Sequence, residues 1–279
     1  MNDSGHCFYG KPRRAFQAAA AFIAGLCLFG FAGCVILKNT DRYQAQRARM
    51  LAEKYSGAAW PERREIIREI VKYYKSSQAG LVTATLARAA EDSHQAVRIE
   101  AVRAVDRVEE KWSHELLRKC ALTDASDNVR WYALKALKKR RDPADVEVFI
   151  QGMQSEDWLV REESVGGMLA LDDATIRERL VPYIIRAIND PRTNVSLAAL
   201  RKIRVKDDRL YAAITAKLNA ATDFDYSLIA SCLEALNGYR LDEKTRERVI
   251  QLLLHQNVRI RLLALQVLKQ DAALSPRIR

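Results

Sequence analysis

Glycine and proline are scarce in this 279-residue chain, at 11 and 6 copies. That excludes a collagen-like or linker-rich protein and leaves few positions that stop a helix. Cysteine is rarer still. The five cysteines include no CxxC pair and share no zinc-like spacing with the four histidines, which argues against a disulfide-stapled scaffold or a zinc module. There is no G-x-S-x-G elbow and no phosphate-cradling glycine loop, the marks of hydrolase and nucleotide sites. His94, His114 and His255 are scattered, and neither a metal nor an acid–base role is expected of them. The acidic pairs Glu162–Glu163, Asp172–Asp173 and Asp207–Asp208 are sequence neighbours, so their side chains diverge on a helix or cap its end. The expectation is no catalytic residue, no metal and no cofactor.

What is abundant is Ala, Leu, Arg, Lys and Glu, with 49% apolar and 29% charged residues. Strong helix formers without long Val, Ile or Thr runs predict an all-α fold. The net charge is +11; Lys11, Arg13 and Arg14 against Asp3 account for +2 in the first 33 residues, leaving +9 beyond them. Such a surface favours anionic partners.

A basic start, KPRR at 11–14, precedes 23 residues, 15–37, without a charge. At about 1.5 Å per helical residue that run spans a bilayer core, and its layout is that of an export signal. Residues 31–34, FAGC, resemble a bacterial lipobox, with Ala32 and Gly33 small before the cysteine and Phe31 in place of the usual Leu. The resemblance makes Cys34 the lipidation site; cleavage there leaves Cys34, Cys120 and Cys232. The alternative is that 15–37 stays uncut as a membrane anchor, which VILK after the cysteine favours. RRAFQ at 13–17 also has twin-arginine spacing. Either ending predicts a body exported from the cytoplasm and held at a bacterial cell envelope. The expected divisions are 1–33 signal or anchor, 34–56 tether or first helix, and 57–279 repeat domain.

The body repeats itself. An apolar residue recurs every 31 to 35 positions at Val97, Val129, Val160, Val195, Leu228 and Ile260. Four residues on stands a small one: Ala101, Ala133, Ser164, Ala199, Cys232 and Ala264. Eight on stands a large apolar one: Val105, Leu137, Met168, Ile203, Leu236 and Leu268. Offsets 0, 4, 7 and 8 share one face of a helix, and the small residue admits a close neighbour. Other amphipathic stretches intervene, with Ser93, Ser126–Asp127, Asp142, Asp190, Asp223 and Asp225 placed as N-caps. The predicted unit is therefore helix A, turn, helix B.

Over residues 79–270 the pattern resembles the HEAT repeat. NVRWYALKAL at 128–137 carries the family's Val-Arg-x-x-Ala-x-x-Ala-Leu core, and the arginine recurs at Arg98, Arg130, Arg161 and Arg261 but not at Ser196 or Ile229. Residues 62–74 resemble a degenerate first unit. The resemblance implies an α-solenoid of six to seven helix pairs with B helices lining the inner groove. Offsets 2, 6 and 9 should face that groove. They make it basic with one aromatic: Arg103, Trp131, Lys135, Lys138, Arg201 and Arg204, extended by KALKKRRD at 135–142. Trp158 and Trp112 are expected to pack, the latter in a turn. The implied function is a non-enzymatic, monomeric scaffold for an acidic protein. Two other readings stay open: nucleic-acid binding, since HEAT-like DNA glycosylases use a basic groove with Trp, and a bilin-lyase-like enzyme.

Overall fold

The computed structural model describes residues 40–171 and 174–271. Cys34, the apolar run 15–37 and the Asp172–Asp173 pair lie outside them. Among the described residues there are fourteen α-helices and no strand. None of these helices is long and apolar enough to cross a membrane.

The chain divides into two compact units, at Thr85 and Leu86. The first contains α1 (Asp41–Tyr55), α2 (Trp60–Ile70), a 3-10 turn (Val71–Tyr73) and the start of α3 (Ala79–Ala90). α1 packs on α2 and buries Ala48, Leu51, Ala52 and Tyr55 with Ile66, Ile67 and Ile70. Residues 40–56, read as tether or helix, are thus helical almost throughout. The Asp41 carboxylate accepts the Ser77 N–H at 2.8 Å, closing this unit on itself.

The second unit continues with α4 (Gln95–Val105), α5 (Lys111–Thr123), α6 (Asp127–Arg140), a 3-10 turn (Pro143–Asp145) and α7 (Val146–Gly152). Then come α8 (Trp158–Met168), α9 (Ala174–Ile188), α10 (Thr193–Leu200), α11 (Asp208–Ala220) and α12 (Tyr226–Leu236). α13 (Glu243–Gln251), a 3-10 turn (Leu252–Leu254) and α14 (Val258–Gln270) complete it. The even-numbered helices α4 to α14 pack each on the next and form the B layer. The odd-numbered α5 to α13 do the same and form the A layer. The two layers share the apolar stripe expected from periodicity. Every offset-4 residue is fully buried, and Val97, Val129 and Val195 show no exposed surface.

Two glycines set how closely the layers approach. A Cβ on Gly167 would overlap the ring of Phe149, a residue of α7 with no exposed surface. A Cβ on Gly152 would overlap the hydroxyl of Ser164, the one offset-4 side chain carrying a hydroxyl. Gly152 thus makes room for what Ala provides in other units, while Ser164 Oγ donates to Val160 O at 2.7 Å within its own helix.

The motif arginines hold one unit to the next. Arg98 grips Asp124 through Nε and Nη2 at 2.8 and 3.1 Å, and its Nη1 donates to Asp92 O and Ser93 O. Arg161 repeats this with Asp190, Ser155 O and Glu156 O. In the unit between them Ser155 stands where the others have Asp, and Arg130 Nη2 reaches its hydroxyl at 3.3 Å. The series is interrupted at Ser196 and Ile229, the units already divergent in sequence, and Arg261 resumes its turn-closing part through His255 O and Gln256 O at 2.8 and 3.0 Å.

The caps differ in part from expectation. Ser126 starts α6 without a side-chain bond. Its own N–H is bound by Asp124 two residues earlier, as Asp92 binds His94 N–H and Asp190 binds Arg192 N–H. A carboxylate reaches two residues on more readily than a hydroxyl reaches across the turn. His94, Asp157, Asp207, Asp242 and Asn257 cap with their side chains, and Asp142 caps the 3-10 turn as expected. Trp112 stands in the first turn of α5, not in a loop.

Candidate functional site

The exposed side of the B layer carries the basic residues in two linked groups. The first spans α4 and α6. The Arg103 guanidinium lies 4.7 Å from the centre of the Tyr132 ring and donates to its hydroxyl at 3.1 Å. Tyr132 meets Trp131 edge to face at 4.7 Å, and Lys135 Nζ sits 4.9 Å over the Trp131 ring. Cations over aromatic faces are held in place yet keep their charge available.

The second group follows α10. This B helix ends at Leu200, earlier than the motif length predicts, and Arg201, Lys202, Arg204 and Lys206 follow it. Arg201 is the C-cap, Ile203 N–H still donates to Ala199 O at 3.2 Å, and 204–207 run without helical bonds. Arg204 therefore does not stand on a helix face. Its Nη1 turns back to Arg201 O and Ile203 O at 3.1 and 3.0 Å. Arg201 Nε donates to Ser231 Oγ on α12 at 3.3 Å. Lys206 Nζ donates to Ala235 O at 3.4 Å and to Asn237 O, and lies 4.0 Å over the Tyr239 ring. Positive charge at these helix ends is favoured by the backbone carbonyls.

Gly166 on α8 joins the groups. A Cβ there would come 3.2 Å from Lys202 Nζ and 3.6 Å from Lys138 Cδ, so lysines from α6 and from the turn after α10 lean over one bare stretch of backbone. Lys138 pairs with Glu163, which is almost fully buried. Burial, then the neighbouring Lys138 charge, holds the Lys202 ammonium below the usual lysine range. Burial and the Glu163 charge push the Glu162 carboxyl up. Burial alone lowers Lys206.

Of the six residues singled out from sequence, Lys138 is thus neutralised by an ion pair. Arg103, Lys135, Arg201 and Arg204, together with Lys202 and Lys206, have no carboxylate within 4.0 Å among the described residues. Lys202 escaped sequence reasoning because offset 7 belongs to the packed stripe; the early end of α10 releases it. The run KALKKRRD is not one surface. Lys139 pairs with Asp106 at 2.5 Å, Arg140 turns inward to Val105 O, Val108 O and Ser113 Oγ, and Arg141 closes α6 in the left-handed conformation at φ 54°.

A further polar cluster lies in the A layer. The Asp145 carboxylate is wholly buried; His114 Nε2 lies 2.8 Å from its Oδ1, and Arg118 Nε donates to the same oxygen at 2.5 Å. This ties α5 to the start of the next A segment, and a cleft of about 850 Å3 opens beside it. His255 has a comparable structural part: its Nδ1 accepts the Asn257 N–H and its Nε2 therefore donates to Asp223 O at 2.9 Å. Among the described residues no three His, Cys, Asp or Glu side chains are set to hold a metal ion. Cys120 and Cys232 are free and buried.

The model of the HEAT repeats family matches residues 114–204. Among solved structures, the Escherichia coli protein YibA aligns with a TM-score of 0.59 at 16% identity, covering 84% of this chain and 86% of YibA. An engineered protein aligns with a TM-score of 0.53 at 14% identity, covering 80% of this chain and 68% of its own. These likenesses establish a helical-repeat fold. A search of curated proteins finds no significant match.

Proposed function

We propose that this chain is a non-enzymatic scaffold that binds an acidic protein on the exposed side of its B layer and is tethered to a bacterial cell envelope through its N-terminus, by a lipid on Cys34 or by the apolar run 15–37. One observation carries the binding reading: the cations Arg103, Lys135, Arg201, Lys202, Arg204 and Lys206 lack carboxylate partners among the described residues, although the chain holds 35 acidic residues. Arg98 and Arg161, by contrast, are neutralised by Asp124 and Asp190. Charge left uncompensated along one strip steers and orients an oppositely charged partner. Repeat folds suit this role because each unit adds surface to its neighbour.

Two experiments test the reading. The full-length protein in detergent is titrated with poly-glutamate and, separately, with duplex DNA. Binding of poly-glutamate that falls with salt and drops at least tenfold in the Lys135→Glu, Arg201→Glu double variant supports the proposal. Equal binding by the variant contradicts it, and preferential binding of duplex DNA transfers the reading to a nucleic-acid protein. Mass spectrometry of the native N-terminus decides the tether. An acylated Cys34 or an intact N-terminus fits one of its two forms, whereas an unacylated chain cleaved beyond the apolar run removes both.

A further inference from the structure

The hairpin of α13 and α14 leaves an apolar face uncovered among the described residues. In the other B helices the residue at offset 5 is buried: Val102, Leu134, Val165, Leu200 and Leu233 are at most 2% exposed. Offset 5 stands one helical turn after offset 1, whose arginine grips the next unit at Arg98 and Arg161, so the following unit covers it. Leu265, the counterpart on α14, is 38% exposed, and Leu262, one turn before it, is 62% exposed. Val258, Leu262 and Leu265 recur at helical spacing and share one side of α14. α13 behaves alike. Thr215, eight residues after the N-cap Asp207 of α11, is buried, whereas Ile250, eight after the N-cap Asp242 of α13, is exposed. Leu254, in the 3-10 turn between the two helices, is 90% exposed. The end of a repeat array is ordinarily polar, and an apolar patch rimmed by charge marks a protein contact.

The charges of this face lie at one end of it. Arg246 Nε donates to Asp271 Oδ2 at 2.8 Å, so the start of α13 is level with the end of α14. Glu243 in the first turn of α13 and Lys269 in the last turn of α14 therefore stand at the same end. Glu243 precedes Ile250 by seven residues and Lys269 follows Leu265 by four, which places each on the uncovered side of its helix. Both are exposed, and neither has an opposite charge within 4.0 Å among the described residues.

We infer that this face pairs two copies of the chain. A two-fold interface has to complement itself, because each patch meets its own image. Two kinds of two-fold axis lie in the plane of the face. An axis across the helices lays α13 on α13 and α14 on α14, and it drives the charged end of one copy onto the apolar end of the other. An axis along the helices lays α13 of one copy on α14 of the other. It sets each Glu243 against Lys269 of the other copy and joins Ile250 and Leu254 to Val258 and Leu265. The second arrangement matches charge with opposite charge and apolar surface with apolar surface. That self-complementarity selects a second copy over an unrelated protein, which the apolar residues alone would serve equally well. The chain then works as a pair, in place of the monomer that the repeat resemblance implies. The inference stands independently of the acidic partner proposed for the B layer.

The test is sedimentation velocity on the full-length protein in detergent over a range of concentrations. Wild type should pass from monomer to dimer and go no further. Leu265→Glu should raise the dissociation constant at least tenfold. Glu243→Lys and Lys269→Glu should each weaken the dimer severalfold, and the two together in one chain should restore it, because the exchanged charges again face each other across the axis. Restoration by a second substitution separates a broken contact from a misfolded chain. A monomer at every concentration overturns the inference and gives the face to another segment or another protein. A dimer indifferent to Leu265→Glu, assemblies that grow beyond two copies, or a double variant no better than the single ones overturns it as well.

Discussion

Arg161 clasps Asp190 with two parallel bonds, Nε to Oδ2 at 2.7 Å and Nη2 to Oδ1 at 3.0 Å, across the boundary between two repeat units. Neither side chain is more than 11% exposed. The same guanidinium closes the turn before its own helix through Ser155 O and Glu156 O. One side chain therefore fixes a turn and the spacing of units at once. Burial would push the Asp190 carboxyl up, but the Arg161 bonds and the Arg192 N–H outweigh it and hold the carboxyl below its ordinary 3.8.

Asp190→Ala should accordingly destabilise the second unit by about 3 kcal/mol, the scale for removing one partner of a buried pair. Because the folded-state value is depressed, this stabilisation is fully present above pH 3.8 and is lost as pH falls through the folded value. Urea melts of wild type and variant should differ at neutral pH and converge in stronger acid. A constant difference at all pH values would assign the effect to packing instead.

Gly167→Ala tests the closeness of the layers. The added methyl meets the rigid, fully buried Phe149 ring, and over-packing of this kind costs about 1–3 kcal/mol. Gly166→Ala, one residue earlier, meets only the flexible ends of Lys202 and Lys138. Thermal melts should show a clear loss for Gly167→Ala and a much smaller change for Gly166→Ala.

The cysteines of the body should be inert in the folded state. Burial pushes the Cys120 thiol up to about 11 and the Cys232 thiol up to about 12, and the thiolate is the reactive species. Neither should react with iodoacetamide at pH 8 until the protein is denatured, after which mass spectrometry should find both labelled.

Much of this fold is legible in the sequence because two periods coincide. The helical period places Val129, Ala133 and Leu137 on one face, and the recurrence of that triplet every 31 to 35 residues declares the stacking. Contacts between units are less legible. The Arg98 position can be read from the motif, but its partner Asp124 is 26 residues away. Asp145 at the start of a short A segment likewise gives no sign that His114, 31 residues earlier, points at it. The grouping of the cations is legible where they sit on helices: Trp131 and Lys135 stand four residues apart on one face of α6, whereas Tyr132, which holds Arg103, falls outside offsets 2, 6 and 9. It was misread where a helix stops. The early end of α10 at Leu200 takes Arg204 off the helix and frees Lys202 from a position that is otherwise apolar. Glu162 and Glu163 are neighbours on α8, and the pair gives no sign in sequence that Glu163 is buried beneath Lys138.

The central claim is that the uncompensated cations of the B layer receive acidic groups. Carbodiimide coupling joins a lysine to a carboxylate only where the two touch, so mapping the lysines joined to bound poly-glutamate tests it directly. The claim predicts coupling at Lys135 and Lys202 and none above background at Lys111, whose side chain is 92% exposed. Coupling spread over lysines in proportion to their exposure, with Lys111 foremost, would contradict it.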